Sequence, residues 1–453
     1  MTNTGPASTS PSPPSTRSQR LDRLPFTRQH RRLLLGSGIG WALDAMDVGL
    51  VSFILAALAV QWSLSPGQLS AIASIGFVGM AVGASLGGLL ADRIGRRQVF
   101  ALTLLVYGVA TGASALVTGV GLLLVLRFLV GLGLGAELPV ASTLVSEYAP
   151  ARIRGRVVVA LEAFWALGWL LAALIGYLVV PSTASGWRWA FALGMVPAAY
   201  AIVIRWGLPE SVRFLERQGR GIEAEEAVRR FERSAGVQVP SLPSPKVVTR
   251  ASEPVTQSWT QLWAPVHRRR TLALWVTWFG VNFSYYGAFI WLPTLLVSDG
   301  FTLVKSFEYT LIITLAQLPG YAVSAILIER WGRRPTLATF LAGSALSATA
   351  FGLADSVPTI LAAGMALSFF NLGAWGALYA VTPEIYPTDL RATGAGSAAA
   401  FGRLASIAAP LLVPLLRQTS GTTGLFVVFA VSFAVAAAAA WALPEWRGRA
   451  LQD

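Results

Sequence analysis

Six ionisable side chains lie inside long apolar runs of this sequence, where a charge is costly. An ionisable group held away from water costs free energy unless it is paired or reached by water. Such residues persist where they bind an ion or a ligand or carry a proton, although a permanent ion pair that holds helices together is the plainer alternative. The six are Asp44, Asp47, Arg127, Glu137, Glu162 and Arg403.

Arg403 has no carboxylate near it in the sequence. Its guanidinium stays charged, and its planar fork of N–H donors matches a carboxylate in two-point contact. Two interpretations follow. Arg403 binds the carboxylate of a ligand, or it pairs with Asp44 or Glu137 for structure alone.

Aromatic and amide side chains also fall in the middle of the apolar runs. A flat aromatic ligand would stack between such rings, and the amides would supply hydrogen bonds. Each residue alone is more often a packing residue, but together they favour a planar ligand. They are Trp165, Asn282, Tyr285, Tyr286, Gln317, Phe369, Phe370, Asn371 and Trp375.

The composition places these residues in a membrane protein. Hydrophobic residues make up 54% of the 453 residues and charged residues only 13%, against about 25% charged in soluble domains. A helix needs about 20 apolar residues to cross a bilayer. Small residues at spacing four, such as Gly79, Gly83 and Gly87, allow close helix approach. We predict twelve spans, at 33–60, 68–91, 99–117, 121–146, 157–180, 187–208, 271–298, 308–328, 335–354, 358–383, 393–416 and 425–443.

The basic residues predict the orientation of these spans. With the amino terminus inside, 29 of the 35 Lys and Arg residues lie in inner segments, and only Arg188, Lys305 and Arg417 lie in outer loops. This asymmetry places both termini in the cytoplasm, as expected for the cytoplasmic (inner) membrane of a bacterium. The net charge of +13 is spread over these loops rather than gathered in one groove, which argues against nucleic-acid binding.

The segments outside the spans divide the chain. Residues 1–32 are rich in Ser, Pro and Arg, which predicts a disordered tail. Residues 209–268 form a cytoplasmic linker with short surface helices over 210–233. The predicted domains are therefore a six-helix bundle over 33–208, a second bundle over 269–445 and a short tail over 446–453.

An internal repeat supports two equivalent bundles. The segment 92–97, Asp-Arg-Ile-Gly-Arg-Arg, recurs as Glu-Arg-Trp-Gly-Arg-Arg at 329–334, and Glu147 with Arg154 recurs as Glu384 with Arg391. The offset is 237 residues in each case. The sequence thus predicts an all-α integral membrane protein of twelve transmembrane helices in two pseudo-symmetric bundles.

These motifs resemble the major facilitator superfamily of transporters over nearly the whole chain. The loop motif around residues 88–97, the fourth-helix motif that starts at Arg127 and the Pro209-Glu210-Ser211 segment are similar to its signatures. Residues 43–48 and 282–287 look most like the synaptic-vesicle-glycoprotein-2-like branch, and residues 135–140 and 162–165 resemble its bacterial niacin permeases. The resemblance implies a secondary transporter that works by alternating access.

The resemblance also implies roles for the charged groups. It places Asp47 and Arg127 on neighbouring helices, where protonation of Asp47 would release Arg127 and so couple transport to a proton. Asp44 and Glu137 are the other coupling candidates. In related organic-ion transporters a basic residue at the position of Arg403 accompanies anionic substrates, so Arg403, with Arg127 as a second candidate, is expected to hold a carboxylate.

The two loop motifs are expected to form a cytoplasmic gate. Acids and arginines alternate there at fixed spacing, whereas topology alone requires only the positive charges. Bridges between neighbouring helix ends would close the inner side in one state and break in the other. The gate residues are Asp92, Arg96, Glu147, Arg154, Glu210, Glu329, Arg333, Glu384 and Arg391.

One departure argues against a sugar substrate. Sugar porters carry a Gln pair ahead of the Asn and Tyr pair of the seventh helix, where Thr277 and Trp278 stand here. The two histidines, His30 and His267, lie at the cytoplasmic edge, there is no cysteine, and no nucleotide-binding Gly-rich loop is present. These features argue against an enzyme, a metal centre, a cofactor and ATP-driven transport.

The sequence therefore predicts a monomeric, proton-coupled symporter that imports a small aromatic carboxylate, with nicotinate as the leading candidate from the resemblance. Three alternatives remain open: a sugar or polyol symporter, an organic-cation transporter that uses Asp44 and Asp47 as its cation site, and a non-transporting sensor on the same fold.

Overall fold

In a computed structural model, the chain is mostly helical over its described residues, which are 16–237, 259–386 and 388–445, without the side chains of residues 92, 138–140, 259, 388, 389, 391 and 392. The helices are α1 Arg17–Asp22, α2 Arg28–Gln61, α3 Pro66–Ile94, α4 Arg96–Ser114, α5 Val120–Tyr148, α6 Arg154–Leu178, α7 Gly186–Leu193, α8 Val196–Gly207, α9 Val212–Arg217, α10 Gly221–Ser234, α11 Trp259–Leu262, α12 Arg268–Ser298, α13 Leu303–Leu315, α14 Gln317–Arg330, α15 Arg333–Gly352, α16 Val357–Val381 and α17 Thr388–Trp441.

The predicted apolar runs coincide with helices. The run 187–208 is broken between α7 and α8, where Pro197 lies in the first turn of the second helix, a position that proline favours. The runs 393–416 and 425–443 both lie in α17, which turns at Gly421 with a φ of 66°. Within the described residues, eight helical stretches are long and apolar enough to cross a membrane, so the chain is a multi-pass membrane protein.

Glycines allow α3 and α5 to pack backbone against backbone. A Cβ on Gly83 would lie 2.1 Å from the carbonyl oxygen of Leu132, and one on Gly131 would lie 1.9 Å from that of Gly76. No side chain fits at such distances. The small residues that the sequence spaces at four are therefore the contact line between these two helices.

The long helices form two groups. In the first group α2 packs on α6 and α4 packs on α5 and α8, and in the second α12 and α15 pack on α17 and α14 packs on α16. The groups meet where α3 contacts α17, α2 contacts α12, and α6 contacts α13. A cavity between the groups is thus bounded by helices from both halves of the chain.

The tail differs from the prediction of disorder through residue 32. Helix α1 docks on α10, where Arg17 pairs with Glu225 at 3.0 Å and Arg20 pairs with Glu232 at 2.6 Å. Burial of Glu225 would by itself raise its pKa, but hydrogen bonds from Arg20, Arg229 and Arg17 outweigh it and hold the pKa below the usual value. The same arginines that suggested disorder become ordered by the acidic face of α10.

The short helices predicted over 210–233 are present as α9 and α10. Helix α10 buries Ala224, Val228 and Phe231 on one face. Most of the Pro- and Ser-rich part of the predicted linker, 238–258, lies outside the described residues.

Candidate functional site

A narrow cavity lies between the two groups of helices. One wall comes from α2 and α6, and the other from α12, α14, α16 and α17. Three of its polar residues are Glu162, Asn282 and Arg403, and most of the others are aromatic. The full lining is Trp41, Glu162, Trp165, Trp278, Asn282, Tyr286, Tyr321, Trp375, Tyr379 and Arg403.

Arg403 enters this cavity from α17. Its Nη1 lies 3.9 Å from the Sδ atom of Met80 on α3, and its guanidinium lies beside the hydroxyl of Tyr286. No ion pair to Arg403 is present among the residues that the structure describes. The predicted alternative, a pair with Asp44 or Glu137, is therefore not formed here, and the guanidinium is left facing the cavity.

Glu162 is the residue that the sequence did not assign to the site. The sequence singled it out only as an ionisable residue within an apolar run, but it is 2% exposed and lines the same cavity as Arg403. The indole of Trp41 lies beside it. A helical-wheel comparison with Trp165, three residues later on α6, would have placed both on the cavity face.

Aromatic rings form most of the cavity surface. The rings of Trp41 and Trp165 lie 5.1 Å apart, and those of Trp375 and Tyr379 stack at 5.7 Å. The indole nitrogen of Trp375 has no hydrogen-bond partner within the described part of the chain. The indole nitrogen of Trp41 has none there either, so a planar ligand would meet aromatic faces from both helix groups and two unused N–H donors.

Tyr285 is placed differently from Tyr286. It is fully buried behind the cavity, where its hydroxyl accepts a hydrogen bond of 3.2 Å from the indole nitrogen of Trp165. This bond joins α6 to α12. Tyr285 therefore positions a cavity residue instead of lining the cavity.

The three predicted amides are not equivalent. The Asn282 side chain lines the cavity but donates to the Trp278 carbonyl at 2.8 Å and accepts from the Ser406 hydroxyl at 2.9 Å. Gln317 and Asn371 are buried away from the lining, and their amide atoms have no partner among the described residues. Of the predicted aromatic residues, Phe369 and Phe370 pack on Phe340.

Asp47 and Arg127 form a buried ion pair. The Arg127 Nη1 lies 3.1 Å from Asp47 Oδ2, with the two side chains 5% and 1% exposed. The hydroxyl of Thr111 on α4 donates to Asp47 Oδ1 at 2.6 Å. Arg127 lines a separate small cavity beside Met80, so the structure joins it to Asp47 and sets it apart from the Arg403 cavity.

Asp44 and Glu137 form a second buried acidic site. Glu137 on α5 approaches α2 closely enough that a Cβ on Gly40 would lie 3.0 Å from its Oε1. The two carboxyl groups are neighbours, with the hydroxyl of Tyr107 beside Asp44. Within the described residues, their four oxygens have no hydrogen-bond partner and no cation pairs with them.

The cytoplasmic motifs form ion pairs inside each helix group. Arg96 Nε lies 3.6 Å from Glu147 Oε1 in the first group, and Arg333 Nε lies 2.8 Å from Glu384 Oε2 in the second. In each group a further glutamate accepts a backbone N–H at the start of the helix that follows the motif. Glu210 accepts the backbone N–H of Arg97 at 3.1 Å next to Gly95, whose φ is 101°.

The same arrangement recurs at the other end of the repeat. Glu445 accepts the backbone N–H of Arg334 at 2.9 Å next to Gly332, whose φ is 105°. Each glutamate thus caps the helix that follows the motif. Glu210 lies at a helix start and does not bridge the two groups.

Two gate residues have other partners than expected. Arg154, at the start of α6, pairs with Asp22 at the end of α1. Glu329 pairs with Arg156 at 3.4 Å, which connects α14 to α6 across the two groups. The side chains of Asp92 and Arg391 lie outside the described residues.

Two helix groups around a cavity lined by aromatic and polar side chains are the architecture of a membrane transporter. The chain matches the family described as "Sugar (and other) transporter" over residues 40–453, and it belongs to that family. The fold agrees with the partially occluded, inward-open xylose transporter XylE from E. coli, with a TM-score of 0.73, 20% identity, and coverage of 93% of this chain and 100% of that one.

Two transporters are similar to this chain over most of their length. The chain is 50% identical to the niacin transporter NiaP of Acinetobacter baylyi over 440 residues, which covers 96% of this chain and 98% of that protein. It is 31% identical to the organic cation/carnitine transporter 7 of Arabidopsis thaliana, with coverage of 93% and 92%. The predicted resemblance to the niacin permeases and organic-ion transporters is confirmed.

Proposed function

We propose that this protein is a proton-coupled symporter that imports nicotinate or a close aromatic carboxylate. The observation that carries the proposal is Arg403, a guanidinium without an ion pair among the described residues, which faces a cavity walled by aromatic rings. A carboxylate satisfies the guanidinium through charged hydrogen bonds, and the rings hold a flat substrate. The similarity to a niacin transporter over almost the full length of both chains supports nicotinate.

The proton is proposed to enter through the acids of the first group. Asp47 is paired with Arg127 and accepts a hydrogen bond from Thr111 in this state. Asp44 and Glu137 are neighbours without a cation, and two such carboxyl groups retain one proton between them because both charges cannot be buried together. Movement of Arg127 away from Asp47 would make Asp47 a second proton acceptor.

Alternating access is proposed to arise from rocking of two six-helix bundles, 33–208 and 269–445, around the cavity. In this arrangement the chain has twelve spans with both termini in the cytoplasm, because the loops of that side carry most of the Arg and Lys residues. The protein is expected to act as a monomer in the inner membrane, since one chain holds the complete cavity.

Uptake into liposomes tests the proposal. A proton gradient with an alkaline interior should accumulate labelled nicotinate in liposomes that contain the purified protein, and neutral nicotinamide should compete poorly. Arg403→Ala should lower nicotinate affinity at least about tenfold, because a charged hydrogen bond contributes about 1.5–3 kcal/mol. Arg205→Ala, at the exposed end of α8, is the matched control and should behave as wild type.

Three results would contradict parts of this proposal. Binding of nicotinate without uptake would favour the sensor. Uptake that ignores the pH gradient would remove the proton coupling. Failure to bind any aromatic carboxylate would contradict the substrate class.

A further inference from the structure

Glu162 is a buried acid to which the proposed function gives no role. It is 2% exposed, and no ion pair to it is present among the described residues. Its neighbour Trp41 has an indole nitrogen without a partner in the same part of the chain. A carboxyl group in such a place needs a partner, and the cavity that it lines is where one would come from.

The cavity is polarised by two groups that do not touch. Arg403 belongs to α17 in the second helix group, and Glu162 belongs to α6 in the first. The charge of Arg403 reaches Glu162, but the two side chains form no ion pair. A molecule bound between them therefore meets a fixed cation at one end and an acid at the other, with Trp and Tyr rings along the sides.

A ring that carries both a carboxylate and a basic nitrogen matches this arrangement. With the carboxylate paired to Arg403, the ring nitrogen of nicotinate, which is meta to the carboxylate, can be turned toward the other wall. One proton shared between a carboxyl oxygen and a pyridine nitrogen satisfies both atoms, as O–H···N or as O⁻···H–N⁺. No bond other than this hydrogen bond has to form or break.

We infer that Glu162 is the specificity-determining residue that recognises the ring nitrogen of a pyridine carboxylate through a shared proton. This inference rests on the proposed function, because it assumes that Arg403 holds the carboxylate. It separates nicotinate from benzoate, which has the same carboxylate and ring but no nitrogen. Bound benzoate leaves the buried Glu162 carboxyl without its partner, and sites built to hydrogen-bond a group reject ligands that lack it.

Binding of nicotinate and benzoate to the purified, full-length protein tests the inference. Wild type should prefer nicotinate over benzoate at least about tenfold, the effect of one charged hydrogen bond. Glu162→Leu should lower nicotinate affinity and leave that of benzoate unchanged or higher, so that the preference disappears. Arg403→Gln should weaken both ligands by similar factors, which distinguishes the two ends of the cavity.

A second variant separates the hydrogen bond from the proton. The amide of Glu162→Gln still donates an N–H to a ring nitrogen, so this variant should retain the preference for nicotinate. In wild type the preference should fall as the pH rises, because the shared proton is lost, whereas in Glu162→Gln it should not change with pH. This comparison remains decisive if Glu162→Leu does not fold.

The outcomes are distinct. Equal losses for nicotinate and benzoate in Glu162→Leu, or a wild-type preference that does not change with pH, would overturn the inference and leave the proposed function standing. A wild-type protein that binds neither ligand would overturn both. Selective loss of nicotinate alone supports the ring-nitrogen contact.

Discussion

Among single residues, Asp47 is the main candidate for the proposed proton coupling. Its two oxygens are held by Arg127 and Thr111 from two other helices. A buried pair is weak support for stability, because desolvation of both charges offsets much of their attraction. Because Asp47 lies in the packed core of α2, α4 and α5, we expect its protonation to change how these helices pack.

We predict that Asp47→Asn abolishes uphill accumulation of substrate but preserves exchange. The amide cannot take up and release a proton, and it leaves the Arg127 charge without its partner, while the Arg403 cavity is unaltered. Counterflow and gradient-driven uptake in the same liposomes measure the two activities. Asp299→Asn is the control, since Asp299 pairs with Arg417 in an exposed position. Gradient-driven uptake by Asp47→Asn would place the proton elsewhere, with Asp44 and Glu137 as the next candidates.

At the scale of elements, the contact between α3 and α5 depends on missing side chains. Gly83 faces the backbone of Leu132, whereas a Cβ on Gly88, five residues later on the same helix, would have no atom within 4 Å. The two glycines therefore differ in whether another helix packs against them. Helix α5 carries Arg127 and Glu137, which lie next to α2, so this contact helps to fix the helix on which both residues lie.

Gly83→Ala should destabilise the protein and Gly88→Ala should not. A methyl group at Gly83 forces α3 and α5 apart, and overpacking of this kind costs about 1–3 kcal/mol. The unfolding temperature in detergent measures the difference between the variants. Equal unfolding temperatures would mean that the helices separate without cost, contrary to the backbone contact.

The docking of α1 on α10 is a second element-scale feature, and it should be lost in acid. Hydrogen bonds from arginines lower the pKa of Glu225 in the docked state. The ionised Glu225 therefore stabilises docking at pH values above the usual glutamate pKa of about 4.3. This stabilisation is lost as the pH falls through the lower pKa of the docked state. A fluorophore on Ser18→Cys reports docking by anisotropy, since the chain has no other cysteine. Glu225→Gln should weaken docking at neutral pH and remove most of this pH dependence; an unchanged acid transition would contradict the role of Glu225.

At the scale of the whole molecule, the Arg156–Glu329 pair joins the two helix groups at one face. Its side chains are 71% and 52% exposed, and such pairs contribute only about 0–1 kcal/mol. A small contribution is suited to a gate, because it biases the equilibrium between two states without trapping either.

Glu329→Gln should increase opening at this face. A cysteine at Thr382, buried at the end of α16, should react with an impermeant maleimide up to about fivefold faster when the pair is removed, in line with less than about 1 kcal/mol. Glu308→Gln, which removes an exposed acid paired with Lys305, controls for loss of charge. Equal labelling rates in all three proteins would exclude a gating role for the pair.

Much of the fold could be predicted from the sequence, since the length of an apolar run and the positions of glycine and proline act locally. Each of the twelve predicted apolar runs lies in helices of the structure. The repeat and the family resemblance could also be recognised from the sequence. The tail was predicted less well: its composition favours disorder, but Arg17 and Arg20 meet Glu225 and Glu232 more than 200 residues away. Glu162 was not assigned to the site for a similar reason, because its rotation toward the cavity of Arg403 depends on how α6 packs against the second helix group.

The sequence by itself determined that this is a helical membrane protein with a repeated architecture and six ionisable groups in its apolar runs. Hydrophobic run length, charge asymmetry and motif spacing are properties of the chain, so they can be read without a structure. The resemblance anticipated that Asp47 meets Arg127, whereas only the tertiary structure decided that Asp44 meets Glu137 and that Arg403 faces Glu162 across a cavity. Those relations depend on how each helix is rotated and which helices are neighbours, and both are set by packing between distant parts of the chain.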